Sequence, residues 1–289
     1  AVSVLVNETH QGSKAGALNA AIEASDADVF ALFDADQTVD RKLVAHAVAS
    51  LDEADIARVR SLPDPSGGWL ESMVYYEYLL LFFLPQKLVK FLLGLEFAGT
   101  RSVLVRREVF DEVGPFAEGH LAEDLDFTHQ VNQAGLSIRE LLYYPSFEEP
   151  AHSLRDWWGQ RIRWMSGQTE VGHSQLDDLR GLLDPDVLAS VVTLVGTWVA
   201  GVLLALAVPK ILLGLATSPL LVGAGLLGLY GVCLATRFVD NPAADMDGFE
   251  LSWLLMPVTF TLFGLVILQV VLEWAIGWES EWYSVDKQT

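Results

Sequence analysis

Val29-Phe30-Ala31-Leu32-Phe33-Asp34-Ala35-Asp36 is the stretch on which the fold turns. An apolar run without alternation reads as a strand covered on both faces, which suits the centre of a parallel sheet flanked by helices. Asp34 and Asp36 then stand at the carboxyl end of that strand, the edge at which α/β sheets bind their ligands. Carboxylates one residue apart can share a hard divalent cation, typically Mg2+ or Mn2+, with the phosphates of a nucleotide. The spacing alone carries little, because Asp-x-Asp recurs at Asp26/Asp28, Asp124/Asp126, Asp184/Asp186 and Asp245/Asp247. The strand context singles out the pair at Asp34.

Outward from this stretch the pattern stays α/β. A strand-like run at 2–6 opens the chain, and a polar loop at 7–13 leads to a helix from Lys14, where Ala15, Leu18, Ala21 and Ile22 fall at helical spacing. Downstream, a helix is expected at 41–54, a strand at 55–60 and a Pro/Gly-rich break at 63–68. Further strands are expected at 102–105 and 136–144, and helices at 106–113, 124–134 (closed by Gly135) and 157–168. The stretch 69–95 mixes Tyr75, Tyr76, Tyr78, Phe82, Phe83 and Phe91 with Lys87, Lys90 and Pro85. It reads either as a helix at a membrane interface or as an aromatic core helix.

The 289 residues are 52% hydrophobic, and the excess is local. Apolar runs at 187–208, 211–235 and 251–276 are each long enough to cross ~30 Å of hydrocarbon as a helix. The expected organisation is an α/β domain over 1–176 and a membrane region over 177–289 with three spans. With the first domain cytoplasmic, Pro209-Lys210 would turn outside and 236–250 would loop inside; Arg237 fits the positive-inside rule and Lys210 does not. Cys233 lies inside an apolar run, as a small lipid-facing or packing residue, and excludes a disulfide framework. Net charge is -20, from 38 acidic and 18 basic residues. That balance leaves no basic footprint for nucleic acid; carboxylates spread along the whole chain are what a surface adapted to high salt shows.

Two further groups carry chemistry. Glu123-Asp124 precedes a helix, so Asp124 suits an N-cap and equally a general base that takes the proton of an attacking hydroxyl. Gln160, Arg163 and Trp164 share nearly one helical face. Arginine can grip a diphosphate with its planar fork and an indole can stack on a sugar; an arginine helix at a membrane surface is the plainer alternative.

In order, Gly12-Ser13-Lys14-Ala15-Gly16-Ala17-Leu18-Asn19, Asp34-Ala35-Asp36, Gly99-Thr100 with Arg106-Arg107, Glu123-Asp124 and Gln160-x-x-Arg163-Trp164 form a series. It resembles the family 2 glycosyltransferases, in particular the processive branch with the cellulose, chitin and hyaluronan synthases. The resemblance implies a GT-A-type domain on the cytoplasmic face of the cell membrane and inverting transfer from a nucleotide sugar, expected to be a UDP-sugar, to a glycan or lipid-linked hydroxyl. It further implies that Lys14, Asn19, Asp34, Gln160 and Arg163 bind the nucleotide sugar, that Asp36 with Asp34 holds Mg2+ or Mn2+, and that Asp124 beside Glu123 is the base. Gly99, Thr100 and Trp164 would border the acceptor. The threonine of the family's Thr-Glu-Asp is Ala122 here. Relatives open with a strand, helix and strand that Ala1 does not follow, so the resemblance also implies an amino-terminally truncated domain.

Overall fold

The computed structural model describes residues 5, 13–65, 68–118, 123–174, 185–244 and 251–277. Gly12, Ala122 and all of the expected strand at 2–6 except Leu5 lie outside them.

Helix α1 (Lys14–Glu23) starts where Ser13 Oγ accepts the Gly16 amide at 3.1 Å, a side-chain cap for an otherwise orphaned donor. Strand β1 (Val29–Leu32) follows, and α2 (Arg41–Ser50) is capped by Asp40. Next come β2 (Ile56–Pro63), α3 (Trp69–Glu77), a π-helical stretch (Tyr78–Phe83) and α4 (Leu84–Leu93). Strand β3 (Val103–Arg106), α5 (Arg107–Val113), α6 (Glu123–Gln133) and β4 (Ile138–Glu148) complete the α/β part. The long α7 (Leu154–Ser174) then leads away from it.

The sheet order is β1-β3-β2-β4. β3 runs antiparallel to both β1 and β2, and only β2 and β4 pair in parallel. The expectation of a central strand in a parallel sheet is therefore corrected: within the described sheet β1 is an edge strand in a mixed sheet. Apolarity reports burial and not strand direction, and here Phe30 and Leu32 are buried while Ala31 is exposed. The directions still place the carboxyl ends of β1, β2 and β4 and the amino end of β3 on one edge of the sheet. A register shift in β4, with Tyr144 at φ 56°, carries that strand on to Glu148, past the expected end at 144; such bulges bend a strand and re-aim its side chains.

One core face holds Phe30, Val103, Val105, Phe110, Phe116 and Phe127 between the sheet and α1, α5 and α6. The other packs Leu43 and Ala47 of α2, with Leu51 just after it, onto Ala57, Val59 and Leu104. The stretch 69–95 divides. α3 is buried from Leu70 to Glu77, so Tyr75 and Tyr76 belong to the core and not to an interface, whereas Trp69 at its start and Leu84, Leu88, Phe91 and Leu92 of α4 are exposed. Pro85 is the second residue of α4, directly after the π-helical stretch, so its missing N–H removes one donor where the helix changes register.

α3 and α7 are locked together by charge. Arg161 and Glu77 are both fully buried, joined at 2.6 Å and 3.0 Å, and Trp157 Nε1 donates to the same carboxylate at 2.7 Å. At the start of α7, His152 lies 2.9 Å from Glu71 on α3 and 2.9 Å from Glu149. The bond to Glu71, with that to Glu149, raises the imidazole pKa above its ordinary 6.5 in spite of partial burial. The clamp's contribution to stability is therefore complete below about pH 6.5, the unfolded value, and is lost as pH rises through the higher folded value. His152→Gln is expected to lower the unfolding temperature most at acidic pH and least at alkaline pH. A deficit that does not change with pH would contradict this role.

The apolar carboxyl-terminal half forms α8 (Pro185–Ala205), α9 (Ala207–Thr217), α10 (Pro219–Ala244), a 3-10 turn (Leu251–Leu255) and α11 (Met256–Ala275). Pro219–Phe238 and Leu251–Ala275 are long and apolar enough to cross a membrane, and α8 with α9 forms a pair bent by 48°. The expected run 211–235 is not one helix: it breaks at Ser218, and Pro219 opens α10, because proline suits a helix start. Pro209-Lys210 is no turn but lies within the first turn of α9, and α10 continues through 236–244, where a loop was expected. Cys233 is buried against Leu62, Tyr75 and Tyr76, a packing residue, and Arg237 is buried over the Tyr75 ring.

Phe263, Val266, Ile267 and Val270 of α11 share a cluster with Leu70, Met73, Trp157 and Met165 of α3 and α7. α11 also meets α8 backbone to backbone: a Cβ on Gly264 would lie 2.1 Å from Ala205 N and 2.6 Å from Gly201 O. Gly264→Ala is expected to cost about 1–3 kcal/mol, toward the upper end because the neighbouring atoms are main chain. A reconstituted variant with an unchanged unfolding midpoint would show that the two helices can separate freely.

Candidate active site

The shared sheet edge collects the charged side chains. Asp34 and Asp36 occupy a turn straight after β1, and this turn is tied down on two sides. The Thr38 amide donates to Phe147 O at 2.7 Å and the Phe147 amide to Thr38 O at 3.1 Å. Gln37 Oε1 accepts the Asp34 amide at 2.9 Å while Gln37 Nε2 donates to Ser61 Oγ at 3.0 Å. From α1, Lys14 Nζ reaches Asp34 Oδ1 at 2.7 Å and Glu123 Oε1 at 3.9 Å.

α6 enters from the opposite side. Glu123 is its first residue and Asp124 its second, so Asp124 lies inside the first turn and is not the N-cap that its position suggested. Its Oδ1 accepts the Leu125 amide at 2.9 Å. Glu123 is buried and accepts from Thr100 Oγ1 at 3.3 Å. Burial, then the adjacent Asp124 charge, raises the Glu123 pKa, with Lys14 pulling the other way. Gly99, at φ 75°, and Ala98 donate their amides to Thr128 Oγ1 at 3.3 Å and 3.2 Å, and Asn132 brackets the Glu96 backbone. The Gly99-Thr100 segment is thus a strap pinned to α6.

Asn19 makes its hydrogen bonds elsewhere: it donates to Phe116 O and accepts the Phe116 amide, each at 2.9 Å, and donates to Glu118 Oε1 at 3.1 Å. It holds the chain that leads toward α6. Arg106 and Arg107 likewise bond main-chain carbonyls, of Leu51 and of Ser25 and Ala27, and so fasten the far end of β3.

α7 supplies Arg163. Burial depresses its pKa, the charges of Glu123, Asp124 and Asp34 oppose that, and Arg101 reinforces it. The two arginines and three carboxylates therefore lie within electrostatic reach of one another. Gln160 accepts a hydrogen bond from Arg161 at 2.5 Å, and the Trp164 ring carries the Arg161 guanidinium at 4.3 Å and the Arg101 guanidinium at 5.4 Å. Cation–π stacking of this kind fixes the ring edge-on to Tyr78 and Phe82.

Sequence reasoning missed Arg101, Glu148, Ser61 and Tyr78. Arg101 Nη1 donates to Glu148 Oε2 at 2.8 Å, Ser61 Oγ to the same oxygen at 3.1 Å, and the Tyr78 hydroxyl to Oε1. A single glutamate at a strand end gives no signal among 38 acidic residues. Arg101, next to Gly99-Thr100, was the one with a usable hint. Among the described residues no group of three or more His, Cys, Asp or Glu side chains is arranged to hold a metal. The Asp34/Asp36 turn still fits a hard cation of the kind that keeps several waters and binds through one or two carboxylates plus substrate phosphates, and Lys14 already marks Asp34 as a seat for positive charge.

A family model described as glycosyl transferase family group 2 matches residues 29–273. The chain belongs to that family. Curated relatives include a beta-monoglucosyldiacylglycerol synthase of Trichormus variabilis, 28% identical over 161 residues, or 54% of this chain and 34% of the relative. The probable glycosyltransferase YdaM of Bacillus subtilis is 28% identical over 164 residues, or 55% of this chain and 39% of the relative. The match thus spans little more than a third of these relatives' length. Among solved structures, the mannosyltransferase PcManGT from Pyrobaculum calidifontis, in complex with GDP-Man and Mn2+, aligns with a TM-score of 0.51 and 17% identity, over 93% of this chain and 68% of that one. That likeness supports a GT-A-like glycosyltransferase fold.

Proposed function

We propose that this chain carries the catalytic centre of an inverting transferase that moves a sugar from a nucleoside diphosphate to a lipid hydroxyl at the cytoplasmic face of a membrane. The observation that carries the reading is Lys14, whose ammonium joins Asp34 in the turn after β1 to Glu123 at the start of α6 on one sheet edge, with Arg163 within electrostatic reach. Family membership supports nucleotide-sugar chemistry. A lipid acceptor is favoured by relatives whose name denotes a glucosyl group on diacylglycerol. The exposed Leu84, Leu88, Phe91 and Leu92 of α4, with Lys87 and Lys90 between them, suit a helix lying in the headgroup region. α10, α11 and the bent α8–α9 pair would form the membrane region over 177–289, with α3 and α7 of the catalytic domain over 1–176 packed directly on α11.

In this reading Asp124 accepts the proton of the acceptor hydroxyl as its oxygen attacks the anomeric carbon. The bond from that carbon to the diphosphate oxygen breaks, its electron pair leaves with the nucleotide, and the anomeric centre inverts in one displacement. Glu123, held by Thr100 and Lys14, keeps Asp124 in place, while Gly99, Thr100 and Trp164 border the acceptor. Arg163, presented by the helix of Gln160, faces the charge that develops on the leaving group. Asp36 with Asp34 would hold Mg2+ or Mn2+, which when bound offsets diphosphate charge. A UDP-sugar is the donor expected from the family resemblance; the GDP-Man of the mannosyltransferase makes GDP-sugars the first alternative.

The test is nucleotide release by the protein in lipid vesicles, with a panel of UDP- and GDP-sugars, diacylglycerol, and Mn2+ or EDTA. Metal-dependent release with one sugar added per lipid supports the reading. A ladder of longer products would favour the chain-building alternative, for which Gln160-x-x-Arg163-Trp164 speaks, and no release from any donor would overturn both.

A further inference from the structure

Glu148 joins two parts of the site that are remote in sequence. Its carboxylate, 7% exposed as a residue, takes Ser61 and Arg101 on one oxygen and Tyr78 on the other. Through Ser61 and Gln37 the same chain of hydrogen bonds reaches the Asp34 amide. Arg101 stands immediately before Ser102, which is fully buried, takes φ 53° and shares a hydrogen with Ser146 Oγ at 2.5 Å. A left-handed φ is uncommon for a residue with a side chain, so the main chain that presents Arg101 is imposed by its surroundings. The guanidinium, with its side chain 34% exposed, is steadied by Glu148 and by the Tyr78 and Trp164 rings at 5.9 Å and 5.4 Å.

Resting on the transferase reading above, we propose that Arg101 is a second diphosphate-binding cation beside Arg163 and that Glu148 is its positioning residue, setting Arg101 and the Asp34 turn to one geometry. A buried carboxylate that served only to balance charge would need Arg101 alone. Here it also grips the support of the metal-side turn, so the cation on one side of the donor phosphates and the carboxylates on the other move as a unit. Arginine suits the role because its planar fork can keep Glu148 on one nitrogen and still offer donors to phosphate oxygens.

The experiment measures UDP and GDP binding, with Mn2+, to the full chain in nanodiscs, alongside KM and kcat for the donor. Arg101→Gln should weaken nucleoside diphosphate binding by about tenfold or more, the scale of a lost charge-assisted hydrogen bond. Because that variant leaves Glu148 buried without its partner, the double variant Arg101→Gln/Glu148→Gln is the deciding one. It removes the stranded charge, so its thermal stability should recover while nucleotide affinity stays low. Glu148→Gln alone should raise the donor KM more than it lowers kcat, since Arg101 keeps its charge and loses its aim. Recovery of parental affinity in the double variant would reduce Arg101 to a partner for Glu148 and overturn the proposal while leaving the transferase reading intact. If the parent itself bound neither nucleotide, both would fall.

Discussion

Asp124→Asn is expected to lower sugar transfer by about 10²–10⁴-fold, the range contributed by a positioned general base, while nucleoside diphosphate affinity changes little. Asparagine keeps the shape and can still accept the Leu125 amide bond seen at Asp124 Oδ1, so α6 has no reason to unravel. What it loses is the ability to take a proton. Steady-state rates with saturating donor, read against nucleotide binding in the same preparation, separate the two effects. Equal rates in variant and parent would remove Asp124 from the mechanism and direct attention to Glu123, whose pKa is raised by burial and by its neighbour. Glu123→Gln should be milder, because Thr100 and Lys14 hold that carboxylate in a supporting position.

The largest expected effect on stability belongs to Glu77→Ala. Arg161 is buried at 0% exposure with both of its contacts to Glu77 at bonding distance. Removing the carboxylate strands a charge in the core and also deprives Trp157 Nε1 of its acceptor, which should cost about 3–5 kcal/mol. The ion pair need not be a net source of stability. Replacing both partners with apolar residues of similar volume is expected to restore much of the loss, since desolvation of two charges offsets most of their attraction. Thermal unfolding followed by tryptophan fluorescence would read both variants. A Glu77→Ala protein as stable as its parent would mean that water or another carboxylate reaches Arg161. Activity should fall with stability in the single variant, because α7 also carries Arg163 and Trp164.

Gln160-Arg161-Ile162-Arg163-Trp164 illustrates why some of the site could be read in advance and some could not. Helical spacing identified the face bearing Gln160, Arg163 and Trp164. It gave no reason to expect that Arg161 would be the fully buried one, or that its guanidinium would occupy a face of Trp164. Asn19 shows the same limit from the other side. Its motif pointed to a nucleotide pocket, and in the fold its amide bonds the Phe116 backbone and the Glu118 side chain.

By itself the sequence determined the α/β class, the approximate positions of the helices and strands, the apolar carboxyl-terminal half and the placement of Asp34 and Asp36 after a strand. Each of these follows from local periodicity, capping chemistry and hydropathy, which neighbours in the chain settle among themselves. Tertiary structure alone decided that the sheet is mixed with β1 at its described edge, that α3 is core while α4 is exposed, that the apolar runs break at Leu206 and Ser218, and that Ser61, Tyr78, Arg101 and Glu148 meet. Strand direction, the side of a helix that is covered and the partner of a buried charge all depend on residues tens to hundreds of positions away. Their energies exist only once the chain has brought those residues together.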